Sequence, residues 1–260
     1  MVAAGDRTGW RSDLAARYAS IHDATFGVGG TVDRWWLEQA VALAKSFGAP
    51  VAELGCGTAS LAVHLARAGL HVRATDFSPH MVDLARARLA AETPEVAQRV
   101  CLGVGDMCEA DPHLCGRIVM LPSFCHLLDD AHRERCLSAL AAVGAAGAIV
   151  YIPVVVPFRG DAGTASWSTE INGRRVVYGT KSSTEWVRRT HTVKYWWEEG
   201  DSRRRWEMTY AFSFPGEDEL EAIATHCGWR CIGMHEARSV RTEPRKLLSI
   251  WEKCYELRPR

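Results

Sequence analysis

Net charge is the first thing this chain lacks. Lysine and arginine together number 31 and aspartate and glutamate number 31, so the formal charge is zero. Without a positive surplus there is no global field to hold a polyanion, and a nucleic-acid partner is set aside in favour of a small molecule. The run Arg203-Arg204-Arg205 is read as a solvated strand or turn. Paired cysteines are lacking too. The nine cysteines, at 56, 101, 108, 115, 125, 136, 227, 231 and 254, are odd in number and scattered through apolar segments, with no Cys-x-x-Cys pair and no histidine at zinc-ligand spacing. They read as small buried hydrophobes in a reducing compartment. No apolar run approaches the length of a membrane span, and residues 1–10 carry Asp6 and Arg7 but no apolar core of a secretory signal. A soluble cytosolic protein with no membrane partner is expected. Internal repeats and low-complexity linkers are missing as well, so 260 residues suit one large α/β domain or a domain with a substantial insertion.

What is present is organised around Val51-Ala52-Glu53-Leu54-Gly55-Cys56-Gly57-Thr58-Ala59, followed by an apolar run and then Thr75-Asp76-Phe77-Ser78. The order is strand, glycine turn, helix, strand, acid. Gly55 and Gly57 let the backbone turn sharply and approach a ligand, and Asp76 falls where a carboxylate can grip a ribose diol. That describes a nucleoside site, and the glycine spacing taken alone allows a dinucleotide.

The alternation continues along the chain. Strands are expected at 51–54, 71–75, 99–104, 118–121 and 148–156, and helices at 60–68, 81–91 and 133–143. Gly69 and Gly144 close two of the helices, and Ser78 as N-cap with Pro79 behind it opens another. The third strand runs into Gly105-Asp106-Met107 and the fourth into Pro122-Ser123-Phe124-Cys125-His126. Such spacing predicts a parallel sheet with right-handed crossovers. Upstream, 14–21 and 31–47 have helical periodicity, separated by the glycine joint Phe26-Gly27-Val28-Gly29-Gly30. The first segment, with Tyr18, reads equally as a lid that orders over a ligand and as a helix packed on the sheet. From 167 to 214 the residues are aromatic and β-branched, with an Asn172-Gly173 hairpin signal, which predicts an antiparallel extension of three or four strands. A helix at 217–227 and strands at 230–236 and 247–254 close the chain.

Glu53-Leu54-Gly55-Cys56-Gly57-Thr58 resembles motif I of the class I S-adenosylmethionine-dependent methyltransferases, with Ala59 where the third glycine usually stands. The resemblance covers roughly 12–156 and 217–254. Glu53, Gly105-Asp106-Met107 and the closing pair of strands separate it from a nicotinamide-dependent oxidoreductase, and Tyr178 and Lys181 lack the Tyr-x-x-x-Lys spacing of one such family. The resemblance implies an α/β fold: a Rossmann-like seven-stranded sheet with an antiparallel last strand, an N-terminal helical lid at 1–48, a donor domain at 49–156 and 215–260, and an antiparallel β insertion at 157–214. It implies S-adenosyl-L-methionine as cofactor, with S-adenosyl-L-homocysteine as product. Glu53, Gly55, Cys56 and Gly57 would form the donor loop, Asp76 would bind the ribose hydroxyls, and Phe77 and Met81 would flank the adenine. Asp106 and Met107 would meet the adenine edge and face, while Leu121, Ser123 and Phe124 would line the methyl side. In layout the chain is similar to small-molecule N-methyltransferases acting on glycine derivatives or amino sugars. That implies a small-molecule acceptor, methylated on nitrogen or alternatively on oxygen or carbon, and a monomer or homodimer.

Methyl transfer asks for alignment, desolvation and removal of a proton where the acceptor carries one. His126, just beyond the fourth strand, is the leading candidate base, with a cap or surface role as its competitor. Tyr18 and His191 are further catalytic candidates, and alternation with Thr190 and Thr192 assigns His191 to an exposed strand face. Trp36, Trp167, Tyr178, Tyr195 and Trp197 join Phe124 as candidate acceptor contacts, because aromatic faces stabilise a cationic methyl group. Asp129, Asp130 and His132 read more easily as a helix N-terminus than as magnesium ligands, so no metal is expected. Leu121-Pro122-Ser123-Phe124 lacks the polar acceptor with which base-methylating enzymes hold an amino group. A binding protein that kept the fold without the activity is the remaining alternative.

Overall fold

A computed structural model of the chain describes residues 34–47, 50–109, 118–143, 149–156, 163–171, 174–199, 205–238 and 251–259. Its elements begin with helix α1 (Arg34–Phe47), strand β1 (Val51–Leu54), α2 (Ser60–Arg67), β2 (Val72–Asp76), α3 (Pro79–Ala90), the single turn α4 (Pro94–Ala97) and β3 (Val100–Val104). After these come β4 (Ile118–Met120), a 3-10 turn (Phe124–His126), α5 (Asp130–Val143) and β5 (Ile149–Val156). The strands β6 (Thr164–Ile171), β7 (Arg174–Glu185), β8 (Thr190–Glu199) and β9 (Arg205–Ser213) follow, then α6 (Glu217–His226), β10 (Trp229–Arg238) and β11 (Trp251–Pro259).

Five strands run parallel in the order β5-β4-β1-β2-β3, with β1 at the centre. At the β5 edge β11 adds antiparallel and β10 pairs antiparallel beyond it. Because β1 lies between two strands and between two helical layers, all four of its residues are buried. Alternate side chains divide between two cores. Ala52, Val119, Val150 and Ile152 meet α5 and α6 on one face, whereas Val51, Met120 and Tyr151 meet α1 and α2 on the other. Leu37, Ala40 and Ala44 of α1 belong to that second core. The described part of the stretch read as a lid is therefore a packed layer of the domain, and Tyr18 lies outside the described residues.

The insertion forms its own antiparallel sheet, β6-β7-β8-β9. Ile171 pairs with Arg174 across the position of the Asn172-Gly173 signal. Its inner face, with Tyr178, Val193, Tyr195, Trp197, Met208 and Phe212, closes on Met81 of α3 to make a third core. Its outer face is polar: Lys194 pairs with Glu207 at 2.6 Å, and the Arg205 guanidinium sits 4.4 Å from the Trp196 ring centroid. His191 is on the inner face and completely buried, which overturns the exposed position expected for it. Thr190 and Thr192 take the partly exposed side instead, because strand side chains alternate and the aromatic neighbours of His191 set the inward register. No helix among the described residues is long and apolar enough to cross a membrane.

Candidate active site

The glycine turn after β1 is built by backbone conformation. Gly55 and Gly57 have φ of 76° and 54°, and Ala59, standing where a glycine is usual, keeps a left-handed φ of 60° while fully buried at the start of α2. Gly55 is closely packed: a Cβ there would lie 2.5 Å from the Ser123 Cβ and 3.1 Å from the Met107 methyl. A Cβ on Gly57 would meet nothing within 4 Å, so the turn borders open space. Both features suit a loop that offers its main chain to a ligand.

Asp76, the last residue of β2, fixes this turn. Its Oδ2 accepts from the Gly57 N–H at 2.8 Å and its Oδ1 from the Ser78 N–H at 2.8 Å, tying the glycine turn to the start of α3. A carboxylate is an acceptor-only group, the chemistry that a ribose diol calls for. Ser78 occupies the N-cap position but makes no side-chain cap bond. Gly105 donates to the Asp76 carbonyl at 3.0 Å, and Asp106 Oδ1 accepts from the Cys108 N–H at 2.8 Å, so the third strand end lies beside the second.

Glu53 sits one layer below, 2% exposed, in register with Ala74 and Met120. Burial pushes its carboxyl up to about 8 from the ordinary 4.5, opposed by the Ala62 backbone N–H and reinforced by the Asp76 charge. Its Oε2 has no hydrogen-bond partner among the described residues. Burial also raises the Cys56 thiol well above its usual range, with Glu53 and Asp76 adding to the effect.

Beyond β4 the chain turns over the donor loop. Ser123 Oγ donates to the Gly55 carbonyl at 2.7 Å. Leu121 and Phe124 are fully buried in the core with Leu137 and Leu140. Phe124 is thus enclosed packing rather than an open wall, because the 3-10 turn directs it under the sheet edge. His126 Nδ1 lies 3.3 Å from the Ala211 carbonyl and its ring meets Tyr210 edge-on at 5.6 Å. A carbonyl only accepts, so this contact calls for the proton on Nδ1.

The inner face of the insertion sheet carries the candidate acceptor residues. The Tyr195 and Tyr210 hydroxyls are 2.8 Å apart and their rings stack at 5.0 Å. Tyr178 pairs directly across from Trp197, whose indole N–H is buried without a hydrogen-bond partner among the described residues. Met81 lies in the same cluster, so α3 packs against the insertion sheet. Phe77 follows Asp76 and is partly exposed. His191 is engaged by Thr184 Oγ1 at 2.7 Å and by the Phe212 ring at 4.8 Å. Trp36 lies in α1 and Trp167 in β6, opposite Tyr178, but their side chains fall outside the described residues. Asp129 accepts from the His132 backbone N–H at 2.9 Å and contacts its ring, the arrangement of a helix start. Among the described residues no group of three or more histidines, cysteines, aspartates or glutamates gathers as metal ligands do.

Sequence reasoning passed over Tyr210 and Arg133. Tyr210 was open to discovery from the alternation Trp206, Met208, Tyr210, Phe212. Arg133 stands on the buried stripe of α5 with Cys136, Leu137 and Leu140, and a charge on an apolar stripe is itself a signal.

The strand order, with its reversed strand beside β5, and a glycine turn at the carboxyl end of β1 are the layout of an α/β Rossmann-like methyltransferase fold. Residues 51–147 match the methyltransferase domain family. Magnesium-protoporphyrin O-methyltransferase of Rhodobacter capsulatus is 46% identical over 67 residues, which is 26% of this chain and 28% of that protein. The match thus spans little more than a quarter of that curated relative. The CcbJ methyltransferase of Streptomyces caelestis superposes with a TM-score of 0.72 at 19% identity, covering 96% of this chain and 98% of the other. The sugar N-methyltransferase KedS8 of a Streptoalloteichus species gives 0.63 at 16% identity, with 88% of each chain covered. At these identities the likeness is one of fold.

Proposed function

We propose that the chain is an S-adenosylmethionine-dependent methyltransferase acting on a small-molecule acceptor, with nitrogen as the methylated atom. The observation that carries this reading is the cradle made by Asp76, whose two oxygens hold Gly57 and Ser78 while the turn borders open space. Asp76 would take the ribose hydroxyls, Phe77, Asp106 and Met107 the adenine, and the Gly55 to Gly57 backbone with Glu53 the amino-acid end. When bound, S-adenosylmethionine supplies an electrophilic methyl group on a sulfonium. The acceptor nitrogen forms the new bond to carbon as the bond to sulfur breaks with its electron pair, leaving S-adenosylhomocysteine. The proton released from the nitrogen goes to His126 Nε2 and then to water. Tyr178, Tyr195 and Trp197 would enclose the acceptor beside a donor domain of 49–156 and 215–260. A cytosolic monomer or homodimer without a metal fits this reading, supported by the free cysteines at 56, 101, 108, 125, 136, 227 and 231. The sugar N-methyltransferase likeness favours an amine-bearing acceptor.

Titration calorimetry with S-adenosylhomocysteine, and transfer of labelled methyl from S-adenosylmethionine to a panel of amino sugars and small amines, test the proposal. Absence of donor binding would sink it, whereas binding without transfer to any amine would favour a binding protein that kept the fold.

A further inference from the structure

His126 sits in a turn whose carbonyl groups point out of regular structure and must be satisfied from elsewhere. The donors come from two distant residues. Ser213, 1% exposed at the end of β9, shares its single hydroxyl proton between the Cys125 carbonyl at 3.2 Å and the Leu127 carbonyl at 2.9 Å. Arg133, 4% exposed, donates from Nε to the Leu127 carbonyl at 3.1 Å and from Nη2 to the Leu128 carbonyl at 3.3 Å. The carbonyls immediately before and after His126 are therefore both held from outside the turn.

The arrangement follows from the sheet topology. Strand β9 is an edge strand, so the carbonyls along its free side have no partner strand. Ala211 and Ser213, two residues apart, lie on the same side of that edge. Ala211 gives its carbonyl to the imidazole and Ser213 gives its hydroxyl to the turn. Arg133 is neutralised where it lies by Asp130, one turn back on α5, and by Glu219 of α6 at 3.8 Å. A buried cation so placed keeps its donors aimed at the turn.

We infer that Ser213 and Arg133 are positioning residues for His126, holding the turn so that the Ala211 carbonyl fixes the imidazole with its proton on Nδ1. The inference rests on the reading of His126 as the base, but its central measurement does not. Nitrogen-15 NMR of histidine-labelled protein reports which ring nitrogen carries the proton. The wild type is expected to hold neutral His126 in the Nδ1-protonated form. In Ser213→Ala and in Arg133→Lys the share of the other tautomer should rise several-fold, roughly threefold or more, while the affinity for S-adenosylhomocysteine stays within about twofold. Ser213→Thr, which keeps the hydroxyl, should restore the wild-type spectrum. An unchanged His126 tautomer in both Ser213→Ala and Arg133→Lys overturns the inference. If Ser213→Ala does not fold, Arg133→Lys and Ser213→Thr decide by the same criterion. With an amine that is methylated, Ser213→Ala should lower kcat about tenfold or more and leave the acceptor KM nearly unchanged. Equal kcat would overturn the inference, whereas full activity of His126→Gln would remove the base reading and leave the tautomer result standing.

Discussion

The glycine turn after β1 and the insertion sheet are built by different means. In the turn the backbone conformation decides the shape. Three residues within five positions hold positive φ, and one carboxylate from the next strand pins the result. In the insertion the side chains do the work: Tyr195 and Tyr210 come from β8 and β9, Tyr178 from β7, and none is near another in sequence. At Gly55 the packed turn admits no added atom, although a Cβ at Gly57 would meet nothing within 4 Å. A side-chain site can change one residue at a time without disturbing its framework. On the proposed function, a constant donor would meet the turn and a variable acceptor the insertion.

The sharpest way to break that comparison is at Gly55. Its φ of 76° and the 2.5 Å approach of Ser123 to a new Cβ leave no room in Gly55→Ala. A loss of S-adenosylhomocysteine affinity beyond about 100-fold and a destabilisation on the order of 3 kcal/mol are expected, by calorimetry and thermal unfolding. Asp76→Asn keeps the shape but weakens the acceptor of two N–H groups and of the ribose diol, and should cost about 2 kcal/mol of donor affinity by the same titration.

Glu53→Gln sharpens the contrast through pH. The folded carboxyl titrates at about 8, above its ordinary 4.5, so between those values the native chain keeps a proton that the unfolded chain gives up. Wild-type stability should therefore fall as pH rises through that window, while Glu53→Gln is spared the fall. Urea unfolding across the window should show the two curves diverging toward higher pH. The smallest effect is expected in the insertion. Tyr195→Phe and Tyr210→Phe, taken with the double mutant, should give a coupling of about 1 kcal/mol in stability with donor affinity unchanged. A matching loss of donor affinity would mean that the two halves do not act separately.

The same contrast decides what the sequence made legible. The donor turn could be read because its glycines, its acid and its flanking strands are close neighbours along the chain. The β/α alternation likewise carried the five parallel strands, since each crossover is local. The hydroxyl pair of Tyr195 and Tyr210, the inward register of His191 and the enclosure of Phe124 depend on which strand pairs with which, and on what covers the sheet. Composition and alternation leave those choices open. Ala59 is a separate case: it stands where the motif usually has glycine and holds a left-handed backbone, in line with the turn on either side.

The edge of β9 bears on how this architecture can be re-engineered. Exchanging the whole stretch 157–214 for that of a relative, as a route to a new acceptor, would bring in a foreign edge and discard the Ala211 and Ser213 contacts to the turn after β4. A chimera that exchanges β6 to β8 alone and retains the resident β9 keeps that seam intact, and three strands of side-chain chemistry become interchangeable upon a fixed margin.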